Sequence, residues 1–336
     1  MPQFSLRSLS LGLCLALSAT VAFSMAACGG QPTIGAKAAA QPAASPASSQ
    51  PADPQPAAPS ANTGAPAPAA RLFSGSGAAW LYTAPTGSGL NISSITSGMH
   101  FKVNAHDGGF DYPIQYADGS LGCTTFTDTR IYGRNDKYCV PNPPGGFKPS
   151  TGAWGADDGH VVVIDTAAGV YYDLWKLYLD GSGKPQSTNI GEIASGSMNG
   201  NGAPGTTAAD LTGAAGDIMP GELDCADCLQ HALSMIVPGN LNSPQVGTQA
   251  PVAKTDGSVG GAIFREGAKI RLDPNLNVDS LQASTAAKAV MKALQRYGGV
   301  ITDQTGDSGI LMYSDLATTP DTSGLDQIGG HLYLYY

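Results

Sequence analysis

One stretch of this chain cannot contribute to a packed fold, and it fixes where a fold can begin. Residues 31–70 are almost wholly Ala, Pro, Ser, Gln and Gly, with nine prolines and only Ile34 as a large apolar side chain. Such a segment cannot bury enough surface to offset its ordering entropy. Prolines at this density favour extended polyproline II at about 3.1 Å per residue, so the segment reads as a tether reaching on the order of 100 Å. Any folded domain is therefore expected within residues 71–336, as a single β-rich unit.

What precedes the tether reads as an export signal. Arg7 is the only charge in the first 27 residues, and an apolar stretch from Leu9 to Phe23 ends in small residues. A short apolar run with a basic residue before it and small residues after it is a cleaved signal peptide, residues 1–27. Met25-Ala-Ala-Cys28 resembles the bacterial lipobox, with Met where Leu is usual. That resemblance implies lipidation at Cys28, by a diacylglycerol thioether and an amide-linked acyl chain such as palmitate. Residues 28–70 would then be a lipid-anchored tether, held to the membrane by several acyl chains. Gly29, where inner-membrane lipoproteins often carry Asp, favours the outer membrane or cell surface.

Without Arg7 the chain carries 16 basic against 26 acidic side chains, a formal net charge of −10. That balance argues against a nucleic-acid partner. With 44 glycines and only 13% charged residues, the composition suits a mainly β domain with many loops. Four cysteines remain beyond the signal and Cys28. In an exported chain they point to disulfides, and Cys123–Cys139 with Cys225–Cys228 would each close a local loop. Cys225-x-x-Cys228 could also be a redox or metal centre, although no thioredoxin-like βαβ pattern surrounds it.

Periodicity predicts the elements. His160-Val-Val-Val-Ile-Asp165, a turn at Thr166–Gly169 and Val170–Leu177 read as a hairpin. Residues 180–216 read as one long polar loop. Gln230–Val237 and Gly267–Asp273 read as strands, the latter with Lys269, Arg271 and Asp273 on one face. An amphipathic helix follows, capped by Asp279 or Ser280, with Ala286, Val290, Ala293, Leu294 and Tyr297 on one side and Gly298 ending it. Gly299–Thr302 and Gly309–Tyr313 read as a final hairpin. The expected fold is a jelly-roll-like β-sandwich with one packed helix near the C-terminus.

Several segments taken in order resemble a family of secreted bacterial proteins of no assigned activity: Asp158-Gly-His160, Tyr172-Asp-Leu-Trp175, Gln230-His-Ala-Leu233, Glu266-Gly-Ala-Lys-Ile-Arg-Leu272 and Ala293-Leu-Gln-Arg-Tyr-Gly298 with Asp303. Some members carry sugar-binding or fibronectin-like domains alongside. The resemblance covers roughly residues 139–315 and implies an envelope location and a β-sandwich. It implies no mechanism.

Candidate chemistry comes from strand ends. His160 and His231 each open an apolar strand, where an imidazole can move protons near neutral pH. Asp158, Asp165 and Asp173 cluster on the first hairpin. Asp173 and Trp175 share a strand face, and an acid beside an indole suits a sugar: the indole stacks on the pyranose while the carboxylate binds hydroxyls or protonates a leaving oxygen. Tyr172 would extend the binding surface. A hydrolase needs two carboxyl groups, drawn from Asp165, Asp173, Glu192, Glu222 and Asp303. A lyase would use a His or Tyr base with Lys269 and Arg271 neutralising a uronate. No cofactor motif appears. Asp107-Gly-Gly and Asp118-Gly resemble fragments of calcium loops but lack their spacing, so no cofactor is expected, with calcium left open by the acidity of the sandwich. The expected function is an envelope lipoprotein that binds or degrades polysaccharide. The alternatives are a non-catalytic protein binding cell wall or a protein partner, and a redox or metal module using Cys225 and Cys228.

Overall fold

The run Val161–Ile164 is β-branched throughout, and the structure buries it on both faces. A strand covered on both sides reads as continuous apolar sequence, because neither face is left for water. The computed structural model describes residues 72–108, 111–128, 136–150, 159–179, 182, 185–186 and 191–336. The signal, Cys28, the tether and Asp158 lie outside the described residues.

In chain order the elements are β1 (Leu90–Asn91), α1 (Ser93–Thr96), β2 (Phe101–Val103), β3 (Ile114–Ala117), β4 (Cys123–Thr127), β5 (Lys137–Pro141), β6 (Val161–Asp165), β7 (Val170–Trp175), β8 (Tyr178–Leu179), β9 (Pro185–Gln186), β10 (Glu192–Ser197), β11 (Leu233–Pro238), β12 (Lys269–Leu272), α2 (Thr285–Arg296), β13 (Gly299–Thr305), β14 (Ile310–Met312) and β15 (Leu332–Tyr335). A seven-stranded sheet runs β1-β15-β12-β13-β11-β14-β2, and a four-stranded sheet runs β10-β7-β6-β3. Most pairs are antiparallel; β11–β13, β14–β2 and β3–β6 are parallel.

Alternation along the strands assigns the layers. Val162, Ile164 and Tyr171 of the small sheet pack with Ile236, Leu311 and Tyr313 of the large one, so the two sheets meet face to face. On the outer face of the large sheet, Met235, Val237, Ile270, Ile301 and Met312 pack under Ala287, Val290, Met291 and Leu294 of α2. On the outer face of the small sheet, Val161, Val163 and Leu174 pack against Phe126, Val140 and Phe147 around the β4–β5 hairpin. Each such side chain contributes roughly 1.5–3 kcal/mol by leaving water. The protein is thus mainly β, a sandwich with one amphipathic helix packed near the C-terminus, as its sequence predicts.

Local details depart from the sequence reading. Helix α2 is capped by Ser284, whose Oγ accepts from Ala287 N at 3.1 Å; Asp279 and Ser280 instead sit in the preceding 3-10 turn, which leads into extended backbone at Leu281. Gly298 ends the helix at φ +73°, as expected of a left-handed residue there. Residues 180–216 contain the strand β10, which pairs along the whole of β7. The segments Gly299–Thr305 and Ile310–Met312 do not pair with each other. The fully buried β11 lies between them, parallel to β13 and antiparallel to β14. Such an apolar strand needs a neighbour on both edges.

Both cysteine pairs form as the short loops suggest. Cys123 and Cys139 lie on paired strands with Cα atoms 5.4 Å apart, and Cys225 and Cys228 close a turn with Cα atoms 5.2 Å apart. Disulfides persist in oxidising compartments, so the domain belongs outside the cytoplasm. No helix among the described residues is long and apolar enough to cross a membrane.

Candidate functional site

A cleft of about 640 Å³ opens at one rim of the sandwich, lined among others by His160, Trp175, Glu192, Lys254, Asp256 and Asp303. Trp175 and Glu192 are direct cross-strand partners on β7 and β10. Paired residues project from the same face, so the indole and the carboxylate stand side by side at the rim. Lys254 Nζ lies 3.3 Å from both Glu192 carboxylate oxygens and 3.7 Å from Asp210.

A register shift brings Asp303 in. Met235 pairs with Ile301, but the next residue, Ile236, pairs with Asp303, leaving Thr302 as an extra residue on β13. Ile301 packs under α2, and strict alternation would send Asp303 to that same face. The bulge instead sets it level with Ile236, whose side chain lies between the sheets. The Thr302 and Ser234 hydroxyls, 2.6 Å apart, pin the bulge. Tyr313 then donates to Asp303 Oδ2 at 3.2 Å.

The third wall is the loop from Ser243 to Phe264, closed at its neck where Ser243 N donates to Phe264 O at 2.9 Å and Phe264 N to Leu241 O at 3.0 Å. Beyond the neck, Glu266 is fully buried and reaches back under the loop: Asp256 N donates to its Oε2 at 3.3 Å and Asn242 Nδ2 to its Oε1 at 2.8 Å. Burial, then a hydrogen bond and charge repulsion from the Asp256 carboxyl, hold Glu266 far above the usual carboxylate range. Glu266 therefore stays protonated at neutral pH beneath the loop. The cleft itself presents the carboxyl groups of Asp256, Asp303 and Glu192.

Of the residues singled out from sequence, His160, Trp175, Glu192 and Asp303 reach the cleft. His160 stacks on Tyr112 with ring centres 4.0 Å apart. Asp173 lies directly beneath and is fully buried; it accepts from Thr206 Oγ1 at 2.7 Å, Thr206 N at 3.1 Å and Gly213 N at 3.3 Å. The acid beside the indole is thus Glu192, and Asp173 supports the cleft floor through Thr206. Asp165 accepts from Ala167 N and Ala168 N and holds the hairpin turn. Tyr172 packs on the opposite face of β7, with the outer cluster.

His231 is elsewhere. Its ring nitrogens lie 3.0 Å from Glu222 Oε2 and 2.8 Å from Ala232 O, beside the Cys225–Cys228 turn. Lys269 is buried and donates to the carbonyls of Trp80, Thr83 and Tyr297 at 2.6, 3.0 and 3.2 Å. Arg271 Nε donates to Gln295 O at 2.9 Å. Neither basic side chain lines the cleft, so the arrangement offers a uronate no clamp from this strand.

Asp107 and Asp118, the calcium-loop fragments, bind backbone or hydroxyl donors at Thr319 and Ser120. Among the described residues no group of three or more His, Cys, Asp or Glu is arranged to hold a metal ion. Sequence reading missed Lys254, Asp256 and Glu266. The Asp256-Gly257 turn signal and a Glu directly before the Gly267–Asp273 run were the available hints. No family description, curated protein or solved structure matches this chain.

Proposed function

We propose that this is an envelope lipoprotein, anchored through Cys28, whose cleft binds a polysaccharide chain and hydrolyses its glycosidic bonds. The carboxyl groups of Asp256, Asp303 and Glu192 gathered beside Trp175 in one cleft, with protonated Glu266 directly under the Asp256 loop, carry the reading. Glycoside hydrolysis needs one carboxyl group that gives a proton and one that takes a proton. Trp175 supplies the apolar platform for a pyranose face.

In this mechanism Asp256 relays the proton held on Glu266 to the glycosidic oxygen as the bond to the sugar carbon breaks. Asp303 takes a proton from the water that attacks that carbon. The products are two shorter chains, one with a new reducing end. Asp303 then releases its proton to solvent and Glu266 takes one back through Asp256. Glu266 is buried and does not touch substrate; it positions Asp256 through its backbone N–H and holds the proton that Asp256 passes on.

The test incubates the full chain, produced in an oxidising compartment, with plant, algal and bacterial polysaccharides. New reducing ends that vanish in folded Asp256→Asn and Asp303→Asn variants support the hydrolase. Retention on insoluble polymer without turnover, weakened by Trp175→Ala, would make it a binding protein of the envelope instead. Neither turnover nor retention would overturn the polysaccharide reading.

A further inference from the structure

We infer that the Cys225–Cys228 turn is a thiol–disulfide exchange site that takes electrons from dithiols outside the cytoplasm. This is a second activity, independent of the cleft.

The turn is held without its sulfur bond. Leu223 before it and Leu229 after it are buried in the core shared by the large sheet and α2. Between them, Cys228 N donates to Cys225 O at 3.1 Å. A wider loop is closed around the pair by His231 Nε2, 3.0 Å from Glu222 Oε2, an oxygen that also accepts from Met219 N at 2.8 Å. Asp227, between the cysteines, pairs with Lys292 at 3.3 Å and Arg296 at 2.5 Å, both on α2. A cross-link over a sequence separation of 3 restrains the unfolded chain less than the one over 16 between Cys123 and Cys139. The fold thus keeps Cys225 and Cys228 side by side whether or not they are bonded, and the bond can open and close without rebuilding the turn.

The two cysteines also differ in access. Cys225 is partly exposed, whereas Cys228 is only 7% exposed. Exchange proceeds by attack of a thiolate on one reachable sulfur while the other leaves. This pair assigns those parts: Cys225 receives the attack and Cys228 leaves inward. Cys123 and Cys139 are both exposed on the β4–β5 hairpin and make no such division.

In the exchange a substrate thiolate bonds to Cys225 Sγ as the Cys225–Cys228 bond breaks. Its electron pair leaves on Cys228 Sγ, which takes up a proton. The second substrate thiol loses its proton to water, attacks the substrate sulfur of the mixed disulfide and releases Cys225 Sγ as a thiolate. The dithiol is oxidised to a disulfide by two electrons and the cysteine pair is reduced by two. A low-molecular-weight disulfide, such as oxidised glutathione, re-forms the bond by the same kind of steps and is itself reduced to two thiols.

The test mixes the full chain, produced in an oxidising compartment, with a reduced two-cysteine peptide and oxidised glutathione, and follows the peptide disulfide. The initial rate should exceed that of the mixture without protein by at least about tenfold. Cys225→Ser should abolish the gain, and replacing both Cys123 and Cys139 by Ser should leave it within about twofold. With oxidised glutathione alone, Cys228→Ser should carry glutathione on Cys225, and Cys225→Ser should capture it on Cys228 at least about tenfold more slowly. Both single variants should keep the circular dichroism of the parent, because the turn does not depend on its sulfur bond. No gain with the parent chain, a gain that survives Cys225→Ser, faster capture on Cys228, or loss of the fold on opening the pair would each overturn the assignment. Reducing ends released from polysaccharide by Cys225→Ser at the parent's rate, or by neither chain, report on the cleft separately.

Discussion

The Thr206 hydroxyl donates to Asp173 Oδ1 at 2.7 Å, and that bond opposes what burial does to the same carboxyl. Burial pushes Asp173 up to about 6, while Thr206 and Gly213 pull it down. A carboxyl whose folded value is raised adds stability below its unfolded value and loses it as pH climbs through the folded value. Thr206→Ala removes one of the opposing bonds and makes the ionised form costlier. The variant is expected to lose on the order of 1–3 kcal/mol at about pH 8 and distinctly less at about pH 5. Melting curves at the two pH values check this; equal losses would mean that the hydroxyl serves packing alone.

Away from the cleft, Asp217 is buried with neither carboxylate oxygen hydrogen-bonded. Burial holds it well above the usual range, reinforced by Asp315, Asp111, Asp173 and Glu222. Asp111 is likewise raised to about 6 by burial. Among the described residues His106 faces this group, 3.2 Å from Asp315 and 3.3 Å from Asp111, and the hydrogen bond to Asp315 raises its pKa. Asp217→Asn removes the need to take up a proton on folding and supplies an amide donor. Its melting temperature should rise by on the order of 5 °C at about pH 7, with the gain fading toward pH 4, where the unfolded carboxyl is protonated as well. A variant that is less stable at both pH values would refute this account.

Lys269 illustrates how a strand pattern can mislead. Its alternation with Ile270 and Leu272 reads as a solvated or substrate-facing side, yet the ammonium is buried and donates to three carbonyls. Lys269→Met keeps the volume and leaves Trp80, Thr83 and Tyr297 without that donor. The expected cost is on the order of 2–5 kcal/mol, with polymer retention by the folded fraction unchanged. Lost retention in a stable variant would return Lys269 to the binding site.

How much was legible follows from which distances the sequence encodes. The β6–β7 hairpin was readable because Val161–Ile164 and Val170–Leu174 carry their signal within one short segment, and α2 was readable because its apolar face repeats at helical spacing. β10 was not, since Gly196 and three nearby serines and alanines look like loop; pairing with β7 overrides that weak propensity. Trp175 and His160 were found because strand ends reach a sheet rim. Asp303 appeared only as one carboxylate among several, because the Thr302 bulge that turns it inward leaves no mark in the local pattern. Asp256 and Glu266 meet through a loop closed by backbone bonds at Ser243 and Phe264, a contact that neither segment shows alone.

The cysteine pairs give a covalent test. With Cys123–Cys139 and Cys225–Cys228 both formed, the denatured but unreduced domain should show no reactive thiol. Replacing Cys123 and Cys139 by Ser opens a loop with a sequence separation of 16, which the chain-entropy relation values at about 3 kcal/mol. Two titratable thiols from Cys225 and Cys228 would instead show that turn at rest in its dithiol form.

The proton on Glu266 makes the most specific claim about catalysis, and Glu266→Gln tests it. Burial and Asp256 together keep Glu266 protonated far above the usual carboxylate range. Glu266 therefore keeps its proton into the alkaline range, in reach of Asp256. Glu266→Gln preserves the shape and the hydrogen bond from Asp256 N but has no proton to pass on. The alkaline limb of the kcat profile should move down by more than about one pH unit, while KM, set by Trp175 and the cleft walls, stays nearly constant. A kcat that falls by the same factor at every pH, with the limb in place, would show that Glu266 only braces the loop, and the acid would have to be sought at another carboxyl of the cleft.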